Sequence, residues 1–257
     1  MGNKPASVED LKVLYLSNNF LAVNKECDIP INADTAEKHP VTVANQLMHK
    51  FPHLVDPSIN FGFRFCHRLD YSTSGVLAIA LNKIAAKESG RAFNSQKTHK
   101  YYLALVHGHV EEDTIVINKA IGSDSRPDYS YRMCSSDKEY CIQPKWAKSK
   151  LLVLQRGIYN GKPATKLLMK LVTGRRHQLR VHCHEIGHTI VGDYTYSNKT
   201  DIYPYRMFLH AYRLIIPTKI EKLDILTEDP FTEHEPKNKW CPIETVHELN
   251  TEVFSIL

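Results

Sequence analysis

Runs in which apolar and polar residues alternate recur along most of this chain, and that period of two is typical of β-strands. The clearest example is KVLYLSNNFLAVNK at residues 12–25, where two such runs flank a turn at Ser17, Asn18 and Asn19 and predict a β-hairpin. Further strands are predicted on either side of the polar loop 67–75 and at 99–110, 151–156, 164–172, 188–193 and 207–217.

Helical spacing is confined to three segments. It predicts a helix over 43–51 that Pro52 stops, a second helix over 83–95, and a short third helix that ends near Gly187. Strands outnumber helices and the two do not alternate strictly, so an α+β fold built on a mixed, largely antiparallel sheet is predicted, as one domain over 1–257. Residues 122–150, poor in aliphatic side chains, are predicted to form a surface excursion, and about 228–257 a peripheral C-terminal segment.

The composition bounds the class of protein. The chain has 257 residues, 33 Lys and Arg against 28 Asp and Glu, and six cysteines. No run approaches the roughly 20 apolar residues of a membrane-spanning helix, and the opening MGNKPASVED lacks the apolar core of a secretory signal. The cysteines form no Cys-x-x-Cys pair, so reduced thiols and residence in the cytoplasm or nucleus are expected. The net charge of +5 suits a partner that carries phosphates but does not identify one.

The segment HCHEIGH at 182–188 contains His184, Glu185 and His188 at the spacing of a zinc-binding HExxH helix. Such a site needs a helix that continues through both histidines, so that their rings share one face. Gly187 lies between them and is predicted to end the helix, and no third-ligand signature follows. We therefore expect no metal, and a zinc hydrolase is kept only as an alternative.

Four blocks carry a resemblance to a known family. TGRRHQLRVHCHEIGHTIVGD resembles the TGRTHQIRVH…GHPIVGD signature of the RluA-type pseudouridine synthases, and HRLDYSTSG resembles their HRLDxxTSG loop. KYYLALVHG at 100–108 is similar to the family's KxYxAxVxG strand, and LHAYRL at 209–214 to its LHAxxL segment. The blocks occur in the family's order, and FGFRFCHRLDYSTSG is most similar to the eukaryotic RNA pseudouridylate synthase domain-containing subgroup. The resemblance implies the synthase catalytic fold with a central cleft.

The resemblance implies roles for several site residues. Asp70 takes the position of the catalytic aspartate and would act as nucleophile on a flipped-out uridine. Arg180 would hold that carboxylate ionised, with Arg175 as the alternative. Tyr102 would stack on the base and is a candidate for proton removal, with Leu209 packed behind it. RNA-binding or loop-shaping roles are expected for Arg68, Thr73, Ser74, Gly75, Arg175, His177 and Leu209.

Some sequence features depart from the family pattern, and an alternative function stays open. KECDIPIN follows the first hairpin where the family often has Lys-Pro-x-Gly, so the rim near Lys25 is expected to differ, and Thr189 replaces a common proline. His67 is expected to be structural. No S4 RNA-binding module is found. The resemblance predicts an RNA pseudouridine synthase. The expected partner is RNA, with tRNA favoured over rRNA or mRNA, and neither a membrane nor a small-molecule cofactor is expected. The protein is expected to be a monomer. The alternative is an RNA-binding protein on a synthase scaffold.

Overall fold

The computed structural model describes residues 6–33 and 39–257. Its α-helices in these residues are α1 (Val43–Lys50), α2 (Lys83–Asn94) and α3 (Gln178–Glu185). Its strands are β1 (Lys12–Leu16), β2 (Phe20–Lys25), β3 (Arg64–Phe65), β4 (Ser74–Ala80), β5 (His99–His107), β6 (Thr114–Asn118), β7 (Ile121–Asp124), β8 (Met133–Ser135), β9 (Cys141–Lys145), β10 (Lys148–Tyr159), β11 (Lys162–Leu171), β12 (Leu209–Pro217), β13 (Lys222–Leu226) and β14 (Trp240–Thr245). Short 3-10 helices lie at Pro52–Leu54, Asn60–Gly62, Pro127–Tyr129, Pro236–Asn238 and Val253–Ser255.

The chain forms two compact units. The first comprises residues 1–99 and 211–228, the second residues 100–210 and 229–257. The divisions fall within β5 and β12, so each unit draws on separate stretches of sequence. The prediction of a single domain stays a prediction, whereas the predicted α+β class is confirmed.

The first unit is built on antiparallel strands that the sequence predicts well. β1 and β2 form the hairpin, β2 pairs with β4, and β4 also pairs with β3, while β12 pairs with β13. One face buries Phe20, Val76 and Ile216 against Ala85 and Ala92 of α2. At about 25 cal/mol per Å² of buried apolar surface, such a face is the main source of stability for the unit. The hairpin and both predicted helices of this unit are confirmed.

The second unit contains a larger antiparallel sheet in the order β5, β11, β10, β14, with β6 also paired to β10. The unit also contains a separate three-stranded sheet, which was not predicted, in the order β8, β7, β9. Its strands are only three to five residues long, which is too short for alternation of apolar residues to mark them in the sequence. That residues 122–150 form a surface excursion stays a prediction. Arg126 pairs with Asp124 on β7, and its guanidinium carbon lies 3.7 Å from the ring centre of Tyr140.

One predicted element differs from the structure. Residues 188–193 form no strand: Ile190 makes one isolated bridge to Val106, and the chain then turns at Gly192, whose φ is 76°. In the C-terminal segment, β14 pairs with β10, and Phe231 and Trp240 are buried in the second unit. That about 228–257 form a peripheral segment stays a prediction.

Helix α3 ends as the sequence predicts. Glu185 is its last residue, and Gly187 adopts a left-handed φ of 83° that favours glycine. The amide of His188 donates to the carbonyl of Cys183, which closes the helix end. Across the described ranges 6–33 and 39–257, no helix is both long enough and apolar enough to cross a membrane.

Candidate active site

Asp70 lies in the loop 66–73 that joins β3 to β4, hereafter the Asp70 loop. The side chain of Leu69 is buried, that of Asp70 is half-buried and that of Arg68 is exposed. The carbonyl of Asp70 accepts a hydrogen bond from the amide of Thr73 at 3.1 Å, which makes a tight turn directly after the aspartate. The loop therefore presents a carboxylate at the surface of the unit on a backbone whose turn is fixed.

The ammonium of Lys25 holds the same loop from the inside. Lys25 ends β2 and is 1% exposed. Its Nζ donates to the carbonyls of Glu26 at 2.8 Å, Tyr71 at 2.9 Å and Thr73 at 2.8 Å. Buried charges are stable only when their hydrogen-bonding capacity is met, and three carbonyls match the three donors of an ammonium. The backbone after Asp70 is thus clamped at two positions.

The end of the Asp70 loop depends on a glycine. Gly75 has a φ of 114°, and a Cβ built there would lie 2.2 Å from the carbonyl oxygen of Ala211. The backbone of β4 approaches that of β12 too closely for any other residue. Thr73 and Ser74 are buried beside it, as loop-shaping residues would be. His67 accepts a hydrogen bond at Nε2 from the amide of Ala78 at 3.1 Å, in keeping with a structural role.

Arg180 lies on α3 in the second unit and is 6% exposed. Its Nε and Nη2 donate to the two carboxylate oxygens of Asp193 at 2.7 and 2.8 Å, a bidentate pair. The guanidinium carbon also lies 5.1 Å from the ring centre of Tyr196. The orientation of Arg180 is therefore set by an aspartate and a tyrosine of the segment that follows its helix.

The start of α3 is arranged around Tyr196. His177, with a left-handed φ of 55°, places its Nδ1 3.1 Å from the Tyr196 hydroxyl. The amide of Met133 donates to the same hydroxyl at 3.0 Å, which ties the small sheet to the helix. Burial raises the pKa of Tyr196, so its hydroxyl stays protonated at neutral pH. Just before His177, Arg175 donates from Nε to the carbonyl of Trp146 at 2.9 Å.

Tyr102 and Leu209 lie on strands of the second unit. Tyr102, on β5, is 8% exposed and opposite Met169 of β11, and Leu209 begins β12. The neighbouring Tyr101 packs its ring edge-on against Phe254, with ring centres 4.8 Å apart. The packing of Leu209 behind Tyr102 stays a prediction.

The predicted site residues thus fall into two groups, one in each unit. Arg68, Asp70, Thr73, Ser74 and Gly75 share one loop, whereas Arg175, His177 and Arg180 share one end of α3. The convergence of Asp70 with Arg180 and Tyr102 stays a prediction.

Sequence reasoning gave no role to two residues that these contacts single out. They are Lys25, which ends an apolar strand, and Asp193, the last residue of the VGD motif. The signals that could have found them are a lysine at the end of an apolar strand and an aspartate in the same sequence block as Arg180. Each acts on a predicted site residue or on the loop that carries it.

The HExxH residues are engaged elsewhere. Nδ1 of His184 lies 3.0 Å from the hydroxyl of Thr189, and Nδ1 of His188 lies 2.9 Å from the carbonyl of His107. Glu185 pairs with Lys119 at 3.0 Å. Within residues 6–33 and 39–257, no group of three or more His, Cys, Asp or Glu side chains could hold a metal ion.

Comparison with known proteins gives the family. A family profile described as RNA pseudouridylate synthase matches residues 19–185, well over half of the chain. The chain belongs to this family. It is 47% identical over 255 residues to RNA pseudouridylate synthase domain-containing protein 1 of Danio rerio, covering 99% of this chain and 86% of that one. It is 31% identical to the dual-specificity RNA pseudouridine synthase RluA of Vibrio vulnificus, covering 79% of this chain and 76% of that one.

A solved structure supports the same assignment. The human RNA pseudouridylate synthase domain containing 1 structure superposes with a TM-score of 0.87 at 40% identity, covering 99% of this chain and 97% of that chain. The chain is therefore an RNA pseudouridine synthase of the RluA type, an isomerase, in the eukaryotic domain-containing subgroup. The resemblance of the four sequence blocks is confirmed.

Proposed function

We propose that this synthase isomerises a uridine flipped out of structured RNA, with Asp70 as the nucleophile. The observation that carries the proposal is the Asp70 loop itself, in which Lys25 and the turn at Thr73 fix the backbone directly after a half-buried carboxylate. Catalysis by a side chain requires such positioning, because small displacements of the reacting group lower the rate strongly.

The chemistry needs no atom from outside the substrate and the protein. The Asp70 carboxylate forms a bond to C1′ as the C1′–N1 bond breaks, and the uracil rotates. C5 of the uracil then bonds to C1′ as the bond between Asp70 and C1′ breaks, which restores the carboxylate. The proton on C5 leaves and N1 gains one, so the product has the composition of the substrate. A carboxylate can act in this way only when it is ionised and the base has left the stack.

Arg180 is the proposed cationic partner of Asp70. Its guanidinium is fixed by Asp193 and Tyr196, which suits a group that must hold a negative charge in one place. Tyr102 is proposed to stack on the extruded uracil and to remove the C5 proton. Arg68, exposed on the Asp70 loop, is proposed to occupy the vacated position in the RNA or to contact phosphate.

The substrate is proposed to be a structured RNA with unpaired loops, tRNA before rRNA or mRNA. Single-stranded loops expose base edges and faces that paired A-form RNA hides, so an enzyme that extrudes a uridine gains most by binding there. We propose that the protein works as a monomer in the cytoplasm or nucleus. The surplus of Lys and Arg, 33 against 28 acidic residues, makes this binding weaker at higher salt.

The direct test is Asp70→Asn in an assay for tritium released from C5 of labelled uridine. Purified protein and its variant are incubated with cellular RNA that carries the label, and release to water is counted. We expect release by the unaltered protein and none above background by Asp70→Asn, because the amide cannot act as the nucleophile. RNA binding by the variant, measured by anisotropy, is expected to persist.

The matched control is Asp128→Asn, since Asp128 is an exposed aspartate in a 3-10 turn. It should release tritium at the unaltered rate. If Asp70→Asn retained full activity, the proposed nucleophile would be wrong. If all three proteins bound RNA and none of them released tritium, the result would support the alternative, an RNA-binding protein on a synthase scaffold.

A further inference from the structure

Two consecutive arginines before α3 each bond to a residue whose aromatic ring is exposed. Arg175 donates from Nε to the carbonyl of Trp146 at 2.9 Å, and Arg176 donates from Nη2 to the carbonyl of Tyr131 at 2.9 Å. Trp146 follows β9 and Tyr131 precedes β8, so the arginines connect the segment 174–177 to both outer strands of the small sheet. All four residues lie in the second unit.

The Trp146 ring is exposed but held in place. Its side chain is 48% exposed, and its indole nitrogen donates to Oδ1 of Asn118 at 2.7 Å. The residues just before it on β9, from Ile142 onward, are exposed as well. A large apolar ring fixed at the surface by its polar edge offers its face to a ligand and loses little conformational entropy when one binds.

The charge beside the rings is uncompensated. Within the described part of the chain, neither Arg175 nor Arg176 has a carboxylate partner, whereas Arg126 nearby is paired with Asp124. Arg176 also stands where the TGRTHQ family signature has threonine, so this chain carries a cation where that signature has none. Its exposed guanidinium can reach a phosphate or stack on a base, which lysine does less well.

We propose that Tyr131, Trp146, Arg175 and Arg176 form an aromatic–arginine surface that binds unpaired nucleotides of the substrate RNA. Aromatic faces stack on bases of any sequence, and neighbouring arginines neutralise the backbone phosphates. The proposal rests on the proposed function, because that function identifies structured RNA as the substrate. It adds a place on the protein where unpaired nucleotides outside the reacting uridine are held.

A single-tryptophan protein tests the stacking directly. The chain has two tryptophans, Trp146 and the buried Trp240, whose Nε1 has no hydrogen-bond partner in the described residues. Trp240→Phe therefore removes an unsatisfied donor and leaves Trp146 as the only tryptophan, whose emission is followed with excitation that tyrosine does not absorb. Titration with a hairpin RNA that has a uridine-containing loop is expected to quench its fluorescence and to protect it from acrylamide. A duplex of the same composition is expected to quench it far less.

Affinity measurements provide an independent test. Trp146→Ala should weaken binding of the hairpin roughly 5- to 150-fold, the range of one lost base–aromatic stack. Arg176→Thr, which restores the family residue, should reduce the salt slope of log K by about 0.7 for one lost phosphate contact on single-stranded RNA. Tyr203→Ala and Arg91→Thr are the controls, because these side chains are highly exposed and lie outside the proposed surface, and they should change neither quantity.

The outcomes separate this inference from the proposed function. Hairpin binding seen by anisotropy without any change in Trp146 emission would overturn the surface, as would equal loss of affinity in Trp146→Ala and Tyr203→Ala. Neither result would bear on the assignment of Asp70 as the nucleophile, because tritium release by Asp70→Asn tests that assignment separately. Conversely, quenching of Trp146 emission by the hairpin in an otherwise unaltered sequence background, together with no tritium release by the unaltered protein, would support the surface and count against the proposed chemistry.

Discussion

The Lys25 ammonium donates to three main-chain carbonyls, two of them in the Asp70 loop, and this contact can be tested by one substitution. Lys25→Met keeps the length of the side chain and removes the donors. We expect the free energy of unfolding to fall by about 2–4 kcal/mol, because buried carbonyls lose a charged partner. Turnover at saturating RNA should fall as well, since the backbone after Asp70 is no longer clamped.

Lys50→Met is the matched control for that substitution. Lys50 is exposed, and its Nζ donates to a single carbonyl, that of Leu11, at 3.0 Å. Its loss should cost no more than about 0.5 kcal/mol and leave turnover unchanged. Equal effects of the two substitutions, measured by urea unfolding and tritium release, would show that the Asp70 loop does not depend on Lys25.

The role of Asp70 can be predicted from the sequence and that of Lys25 cannot, because only the first depends on residues close together in the chain. A polar loop between two apolar strands is a local pattern, and the family motif around Asp70 lies within nine residues. The carbonyls that Lys25 binds are main-chain atoms up to 48 residues away. Every residue has such a carbonyl, so the sequence does not indicate which ones a lysine will bind. The pairing of Arg180 with Asp193 is closer in sequence, but it joins a helix to an irregular segment that the sequence suggested was a strand.

At the scale of the elements, the contact between β4 and β12 depends on Gly75. Gly75→Ala would place a Cβ 2.2 Å from the carbonyl oxygen of Ala211 at a φ of 114°. Backbone atoms cannot move aside as a flexible side chain can, so the strands must separate locally. We expect a loss of at least about 3 kcal/mol in the free energy of unfolding, measured by urea denaturation.

Gly90→Ala is the control with the opposite expected sign. Gly90 lies inside α2, and a Cβ built there meets nothing within 4 Å. Replacement of glycine by alanine in a helix is expected to raise stability by about 0.5–1 kcal/mol. A destabilisation by Gly90→Ala as large as that by Gly75→Ala would mean that close approach at Ala211 is not the cause.

The elements that the sequence predicted correctly are those formed by neighbouring residues. The hairpin over 12–25 follows from alternation and turn residues, and the helices after Thr42 and Asn82 follow from helical spacing. The small sheet of β7, β8 and β9 was not predicted because its strands are only three to five residues long, too short to show a period of two. Residues 188–193 were wrongly predicted as a strand because apolar residues there are buried without continuous pairing.

At the scale of the whole molecule, several histidines are buried in the neutral form. Burial lowers the pKa of His182 and His184, and burial with the nearby charge of Arg206 lowers the pKa of His210 to about 3. In the unfolded chain these rings take up protons near pH 6.5. Between that value and the native pKa the unfolded state binds more protons, so stability is complete above about pH 6.5 and falls as the pH decreases.

Carboxylates also make the stability depend on pH, but in a more acidic pH range than the histidines. The hydrogen bond from Arg213 lowers the pKa of Asp224 below 3.8, its value in the unfolded chain, and the hydrogen bond from Arg126 does the same for Asp124. Stability from these groups is present above the unfolded pKa and is lost only as the pH falls towards the native one. A comparison made at about pH 7.5 and about pH 5.5 therefore isolates the histidines.

His210→Gln tests the largest of these contributions. The His210 ring is 2% exposed and its centre lies 6.2 Å from that of Phe231, so a proton added there would be buried near apolar groups and Arg206. We expect the unaltered protein to lose about 1.4 kcal/mol through this residue between about pH 7.5 and about pH 5.5, and the variant to lack that part. Urea unfolding at both pH values measures the difference. If the two proteins lost the same amount, His210 would be protonated in the native state, because only a group whose protonation is blocked by folding makes stability fall in this range.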